Sequence, residues 1–504
     1  MLAAVMSSAV VACGNTATQT RRGSAQQPVL TGAPASGNRS VGPPGARVVV
    51  AHRNHALVVP RSFFGISTEY WTIPLWAKHL DLLGRVFSLI TQEGPVVLRI
   101  GGDSADRGLW SPTKELPEWV FELTPSWLRQ VSAIVRRFGV KLILYLNLLT
   151  ATPTSAAKWA REAEHRLPRG SILGFEIGNE PDIYNPASFR SKTRGAGKHR
   201  PKINAVSYAS AYRTYDDALD RAVPRIPLLA PALAEPQKNV RWIATLLAGS
   251  HHGLTAITAH RYPLSQCARS GPMVPTIARV LSERATAGMA ATLRPAIRIA
   301  HRARLAVRLT EFNSVTCGGT AGISDTFATA VWAPDALFEL IHAGVRSAAL
   351  HVRARAINMA FSLTRHGLIA YPLLYGLIVY ARTLGTDPQL LPARVSAVPG
   401  SRLKVWTVLD GKQLRVLLID KSARAETFSL TLPAVGAAKV QRLLAPSVSA
   451  TSGITLNGQS LDSEGHWSRS AHPENVEQVS GSYTISIPGM SAAIISAGAR
   501  SGTS

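Results

Sequence analysis

The chain has 504 residues, 46% hydrophobic and 17% charged, which excludes disorder for most of its length. Its 55 Lys+Arg against 30 Asp+Glu leave a formal charge of +25. Such a surplus favours an acidic partner (nucleic acid, anionic lipid or an acidic polysaccharide) or reflects an arginine-rich composition with no specific partner. The longest uncharged apolar stretch, Gly367 to Ala381, contains Pro372 and falls short of the ~20 residues a spanning helix needs, which excludes a multi-span membrane protein.

Residues 2–12, LAAVMSSAVVA, supply the apolar stretch and small residues of a secretory signal without its basic start. Val10-Val11-Ala12-Cys13 resembles a bacterial lipobox, in which Cys13 becomes the lipidated first residue of the mature protein. An ordinary signal peptide and a start codon placed elsewhere are the other readings. The expectation is export, with membrane attachment through a lipid on Cys13. Residues 14–45, rich in Gly, Ser, Thr, Pro, Ala and Gln, read as a flexible tether. With Cys13 consumed by lipid, Cys267 and Cys317 remain; an exported protein can pair them, and two buried free thiols are the alternative.

Strands are predicted over residues 48–50 and 56–59, then at eight apolar runs: Phe63–Ser67, Val96–Ile100, Lys141–Asn147, Ile172–Ile177, Pro227–Ala230, Ala256–Ala259, Ala306–Thr310 and Ser347–His351. Continuous apolar runs suit strands covered on both faces, as in a parallel sheet. Helical patterns lie between them. In Ser126–Phe138, Leu128, Val131, Ile134, Val135 and Phe138 recur every three or four residues, and Gly139 ends the pattern. Eight strand–helix units predict a (β/α)8 TIM barrel over 61–390. The segment 185–202 reads as a loop with Arg190, Lys192, Arg194, Lys198, Arg200 and Lys202 and no acid; a disordered insertion and a basic lip beside the cleft both fit it.

Beyond 390 the period shortens to two. Leu403, Val405 and Thr407 alternate with Lys404 and Trp406, and Asp410-Gly411 marks a turn before Leu414–Ile419. Phe428, Leu430 and Leu432 alternate next, and the chain closes with Tyr483–Ile487 and Ala492–Ser496. This predicts a C-terminal antiparallel β-sandwich domain over 391–504, joined by the strands of 46–60 from the other chain end.

Active sites of such barrels sit at the carboxyl ends of the strands. The fourth predicted strand runs into Asn179-Glu180-Pro181-Asp182, and the seventh ends Thr310-Glu311-Phe312-Asn313. Two carboxylates converging on one cleft are the apparatus of glycoside hydrolysis: one is held protonated for the leaving oxygen, and the other attacks the anomeric carbon. Glu176, inside the fourth strand, reads as facing a helix partner, and Asp182 as satisfying loop backbone.

At these residues the sequence resembles clan A glycoside hydrolases, and more narrowly family 79, the heparanase and β-glucuronidase group. The resemblance rests on residues 98–106 (LRIGGDSAD), 175–184 (FEIGNEPDIY) and 310–314 (TEFNS), with Gly318-Gly319 close behind, and spans roughly 46–500. It implies Glu180 as acid/base, Glu311 as nucleophile, Asn179 on the sugar 2-hydroxyl, Tyr262 as the holder of the nucleophile, and Arg99 as the cation that keeps Glu311 ionised. Asp103 stands where the family carries Asn, which puts that sugar contact in question. Glu69 reads as a subsite acid or a solvated loop acid, and His351 as facing the sugar or as a core histidine. For Trp71 and Trp110, core packing is the favoured reading over sugar stacking. In a barrel, Cys267 and Cys317 follow neighbouring strands at the catalytic end, where a disulfide would pin the nucleophile loop.

The expected function is retaining hydrolysis of β-glucuronides or uronic-acid-containing glycans, with no metal or organic cofactor. The alternatives are a clan A β-glycosidase for a neutral sugar (xyloside or glucoside) and a non-catalytic glycan-binding lipoprotein. No recognition motif accompanies the basic residues, so nucleic acid is not an expected partner.

Overall fold

The computed structural model describes residues 46–50, 56–60, 62–91, 94–110, 116–184, 203–397, 399–468, 471 and 474–500. Cys13, the tether 14–45 and the basic run 185–202 lie outside them. No described helix is long and apolar enough to cross a membrane.

Eight parallel strands close into a barrel in simple sequence order: Phe64–Glu69, Val97–Gly101, Lys141–Leu146, Ile172–Ile177, Leu228–Leu233, Leu254–Arg261, Ala306–Phe312 and Ser347–His351. They correspond to the eight predicted runs. The first, second and eighth are buried along their whole length, because helices cover the outer face while side chains fill the inner one. The helix after the second strand, Pro125–Phe138, begins where Thr124 Oγ1 accepts from Trp127 N (3.1 Å) and stops at left-handed Gly139 (φ 64°). The uncharged stretch 367–381 breaks at Pro372 into a short strand, Gly367–Ala370, and a buried helix, Pro372–Leu384, which packs against Phe327–His342 through Tyr380 and Phe338.

The second body is a sandwich of two sheets. One orders Ala393–Ala397, Ala46–Val50, Glu426–Thr431 and Ser482–Ile487. The other runs Leu57–Val58, Pro388–Leu391, Leu403–Asp410, Gln413–Asp420, Ser491–Ala499, Ala434–Leu444 and Thr455–Leu456, with Glu474–Val476 paired beside Ala434–Leu444. Both chain ends therefore build it. Two details differ from the sequence expectation. Ala46–Val50 pairs parallel with Glu426–Thr431, so the sandwich is not wholly antiparallel. The sandwich also begins at Pro388 rather than 391, since Pro388–Leu391 pairs with both Leu57–Val58 and Leu403–Asp410.

A polar cluster joins the two bodies. Lys421 Nζ lies 2.5 Å from Asp335 Oδ2, both side chains fully buried, and Trp406 Nε1 donates to the other Asp335 oxygen at 2.9 Å. Lys404 bridges Glu339 (2.6 Å) and Glu283 (3.1 Å) beside them.

Candidate active site

Parallel strands buried on both faces leave the barrel lumen as the one place where polar side chains of several strands meet. Arg99 from the second strand sits there, wholly buried. Its Nε donates to Glu176 Oε2 (2.9 Å), Nη1 to Glu311 Oε2 (2.9 Å) and Ser67 Oγ (3.3 Å), and Nη2 to Asn179 Oδ1 (2.8 Å). Glu176 accepts a further bond from Thr310 Oγ1 at 2.6 Å. It thus points into the barrel, not at a helix as the sequence suggested; a strand buried on both faces offers no polar alternation from which to read its direction.

Above this floor, the fourth strand ends in left-handed Gly178 (φ 87°) and left-handed Glu180 (φ 56°, ψ 48°). A non-glycine residue held in that region marks strain that the surroundings enforce. Here the Glu180 amide donates to the Ala232 carbonyl at 3.0 Å. Tyr184 braces the same turn: its hydroxyl accepts from the Asn179 amide (3.2 Å) and donates to buried Asp106, which Tyr145 also contacts. Asp182 accepts from the amides of Ala234 (2.9 Å) and Glu235 (3.0 Å) and from Asn239 Nδ2 (2.8 Å), the loop-backbone role expected of it.

The seventh strand delivers Glu311, whose Oε1 accepts from the Tyr262 hydroxyl at 2.7 Å. His260 Nδ1 donates to Glu180 Oε1 at 3.0 Å and lies 4.0 Å from Glu311 Oε2. His260, Glu180 and Glu311 place donor atoms within 4.8 Å of one another. A cation could bridge such a trio, but these atoms already hold partners: Nδ1 serves Glu180, and the Arg99 guanidinium sits on Glu311.

The two carboxyl groups are driven apart in pKa. Burial raises Glu180, and the charges of Glu311 and Asp103 add to this; the hydrogen bond and charge of His260 oppose without overturning it. Burial would raise Glu311 too. There the charges of His351, His260 and Arg99, with the Tyr262 hydrogen bond, prevail and hold it well below the usual carboxylate range. Burial pushes the His260 imidazole down, but the Glu311 charge and the Glu180 hydrogen bond raise it overall. Such a split is how one site keeps an acid and an anion side by side.

A cleft of about 510 Å³ opens over the pair, within the range of small-ligand sites. Of the residues singled out from sequence, Glu69, Asp103, Asn179, Glu180, Tyr262, Glu311 and His351 line it, while Arg99 lies beneath. Glu69 is not the solvated loop acid: it is 2% exposed and accepts from the amides of Asp103 (3.2 Å) and Ser104 (2.8 Å). His351 bonds Ser67 Oγ through Nδ1 (3.0 Å) and stands 3.6 Å from Glu311 and 3.7 Å from Glu69. Trp71 and Trp110 are not among the lining residues, and Trp110 packs on Trp159. Cys267 and Cys317 are joined as a disulfide with Cα atoms 6.1 Å apart, and both border the cleft. Sequence reasoning passed over His260 and Arg353. Only the pairing of His260 with Glu180 distinguishes it from its apolar run, and Arg353 lies two residues past the eighth strand.

Comparison with known proteins bears on the fold that carries these residues. Residues 406–494 match the family described as glycosyl hydrolase family 79 C-terminal beta domain, the family to which the three sequence segments pointed. No curated protein matches the sequence. Among solved structures, a 4-O-α-L-rhamnosyl-β-D-glucuronidase from Fusarium oxysporum 12S, in complex with Rha-GlcA, is similar at TM-score 0.72 and 15% identity, covering 89% of this chain and 99% of that one. AbfB, a family 51 α-L-arabinofuranosidase from Bifidobacterium longum, aligns at TM-score 0.64 and 16% identity over 90% of this chain and 100% of its own. Cel44A, a family 44 endoglucanase from Clostridium thermocellum, does so at 0.60 and 11%, again over 90% and 100%. At these identities the likeness is one of fold: barrel plus β-domain.

Proposed function

We propose that this chain, whose trailing domain is that of glycosyl hydrolase family 79, is a retaining β-glycosidase that cleaves β-glucuronides or uronic-acid-containing glycans. The observation that carries the reading is the Glu180–Glu311 pair. One oxygen of each lies within 4.8 Å of one of the other, a close approach that suits the ~5–5.5 Å group separation of retaining enzymes better than the ~6.5–9.5 Å that inverting ones need to admit a water. Glu180, raised, protonates the leaving oxygen. Glu311, kept anionic, attacks the anomeric carbon and forms the glycosyl-enzyme, while Tyr262 and Arg99 hold its two oxygens. Glu180, now ionised, takes the proton of the incoming water, which releases the sugar with its configuration retained. Asn179, its Oδ1 engaged by Arg99, presents its amide nitrogen for the sugar 2-hydroxyl.

The uronide preference draws on the family of the trailing domain and on the Fusarium glucuronidase of like fold. The acidic wall of the cleft (Glu69, Asp103 and Glu235 beside the pair) supports a second reading, a neutral β-glycoside. A panel of aryl β-glucuronide, xyloside and glucoside separates the two. Replacement of Glu311 by Gln is expected to abolish turnover of the preferred substrate with the fold intact; near-normal activity would refute the assignment. An inverted first product by NMR would refute retention. Export with a lipid on Cys13 is proposed from the leader sequence alone, and mass spectrometry of the mature N-terminus tests it.

A further inference from the structure

We propose that Arg353, on the loop after the eighth strand, receives the negative group of an acidic sugar and sets selectivity for acidic over neutral glycosides; this rests on the uronide reading above. Among the described residues the wall of the cleft carries Glu69, Asp103, Glu180, Glu235 and Glu311, and the arginines that line it are Arg261 and Arg353. A carboxylate entering among those acids is repelled unless a cation meets it. Arg261 is already engaged: its Nη1 donates to the Tyr262 carbonyl (2.6 Å) and its Nε to Thr292 Oγ1 (3.0 Å), and burial lowers its pKa to about 10. Arg353 makes no side-chain hydrogen bond or ion pair with any residue of the described structure and is half-buried. An arginine left unpaired in an acidic cleft is a group waiting for an anion, and its planar fork suits a carboxylate bidentately.

The position is built, not incidental. The Arg353 carbonyl accepts from the Ala356 amide at 3.3 Å, closing a turn. The amides of Ile357 (2.7 Å) and Asn358 (3.4 Å) donate to the Gly318 carbonyl, and Asn358 Nδ2 donates to the Val315 carbonyl at 2.7 Å. The loops after strands seven and eight are thereby tied together beside the disulfide. Gly318, left-handed at φ 87°, lies against the guanidinium: a Cβ there would stand 2.9 Å from Arg353 Nη2. The charge of Arg353 is felt at the Tyr262 hydroxyl that holds Glu311. A pyranuronide carries its carboxylate on C5, across the ring oxygen from the anomeric carbon that Glu311 attacks. A cation for it must share the cleft with Glu311 without touching it, and Arg353 meets that condition.

The test is selectivity between aryl β-glucuronide and aryl β-glucoside, which differ only at C6. In Arg353→Ala the ratio of kcat/KM, glucuronide over glucoside, is expected to fall roughly 10- to 100-fold, the worth of a hydrogen-bonded charge pair, chiefly through KM. Arg353→Lys should recover part of it. An unchanged ratio in a folded Arg353→Ala overturns the inference while leaving the uronide reading intact. A wild-type enzyme that prefers the glucoside overturns the uronide reading itself. If the wild type cleaves neither, calorimetric titration with D-glucuronate and D-glucose decides: glucuronate binding that survives Arg353→Ala overturns the inference, and its selective loss supports it.

Discussion

The buried arginine beneath Glu180 and Glu311 permits the most quantitative test. Arg99→Met keeps the apolar stem and removes the guanidinium. Glu176 then retains the 2.6 Å bond from Thr310, and Glu311 the 2.7 Å bond from Tyr262, while both lose the cation that neutralised them. Removing one partner of a buried ion pair costs ~3–5 kcal/mol, or about two to four decades in the unfolding constant at ~1.4 kcal/mol per decade. The pH dependence has a definite sign. Glu311 is depressed in the folded state, so its contribution is complete above its unfolded pKa of ~4.3 and fades as pH falls through the depressed folded value. Arg99 supplies part of that depression. The deficit of the variant should therefore be largest at neutral pH and shrink in acid. Urea unfolding, followed by the fluorescence of buried Trp127, Trp159 and Trp332 at pH 7 and at about pH 3, inside that window, measures it. A loss under ~1 kcal/mol at pH 7, or an equal loss at both pH values, would refute the reasoning.

Two further predictions concern the proton inventory and the join between bodies. His260→Ala removes a hydrogen bond and a charge that lower Glu180 and a charge that lowers Glu311, so both limbs of the kcat/KM–pH profile should move to higher pH; an unmoved alkaline limb would show that His260 does not tune the acid. Lys421→Met strands Asp335 between barrel and sandwich and should cost ~3–5 kcal/mol, whereas Lys421→Met with Asp335→Leu should recover most of it; a double variant as weak as the single would show that the pair itself stabilises the join.

The barrel was legible because its strands are apolar on both faces and bounded by turns. Ile172–Ile177 and Ser347–His351 fall where the sequence places them. Elsewhere the strands run on past the apolar residues, into His260-Arg261 and Glu311-Phe312, since the carboxyl ends of barrel strands are where polar side chains are needed. The strand Ala434–Leu444 went unread: Gly436 and the register shift between Val435 and Lys439 break its alternation. At the site, Asn179-Glu180-Pro181 and Glu311 announce themselves as motifs. His260, Arg353 and the inward turn of Glu176 do not, because their meaning lies in what stands opposite across the barrel, and one-dimensional spacing carries no such information.

Net charge shows the same limit more sharply. A surplus of +25 suggests a basic groove, yet among the described residues five carboxylates line the cleft against two arginines. The global field acts at the range of the Debye length, ~8 Å at physiological ionic strength. It can therefore draw a polyanion towards the surface but cannot decide what settles on Glu311. That decision falls to groups in contact, where an acidic wall disfavours an acidic sugar and, on the inference above, the unpaired guanidinium of Arg353 reverses the preference. Salt dependence should separate the two roles: rising ionic strength should weaken capture of an acidic polymer far more than it changes the glucuronide-to-glucoside ratio on small aryl substrates. If that ratio collapses with salt in parallel with polymer binding, selectivity comes from the diffuse surface charge and not from the cleft.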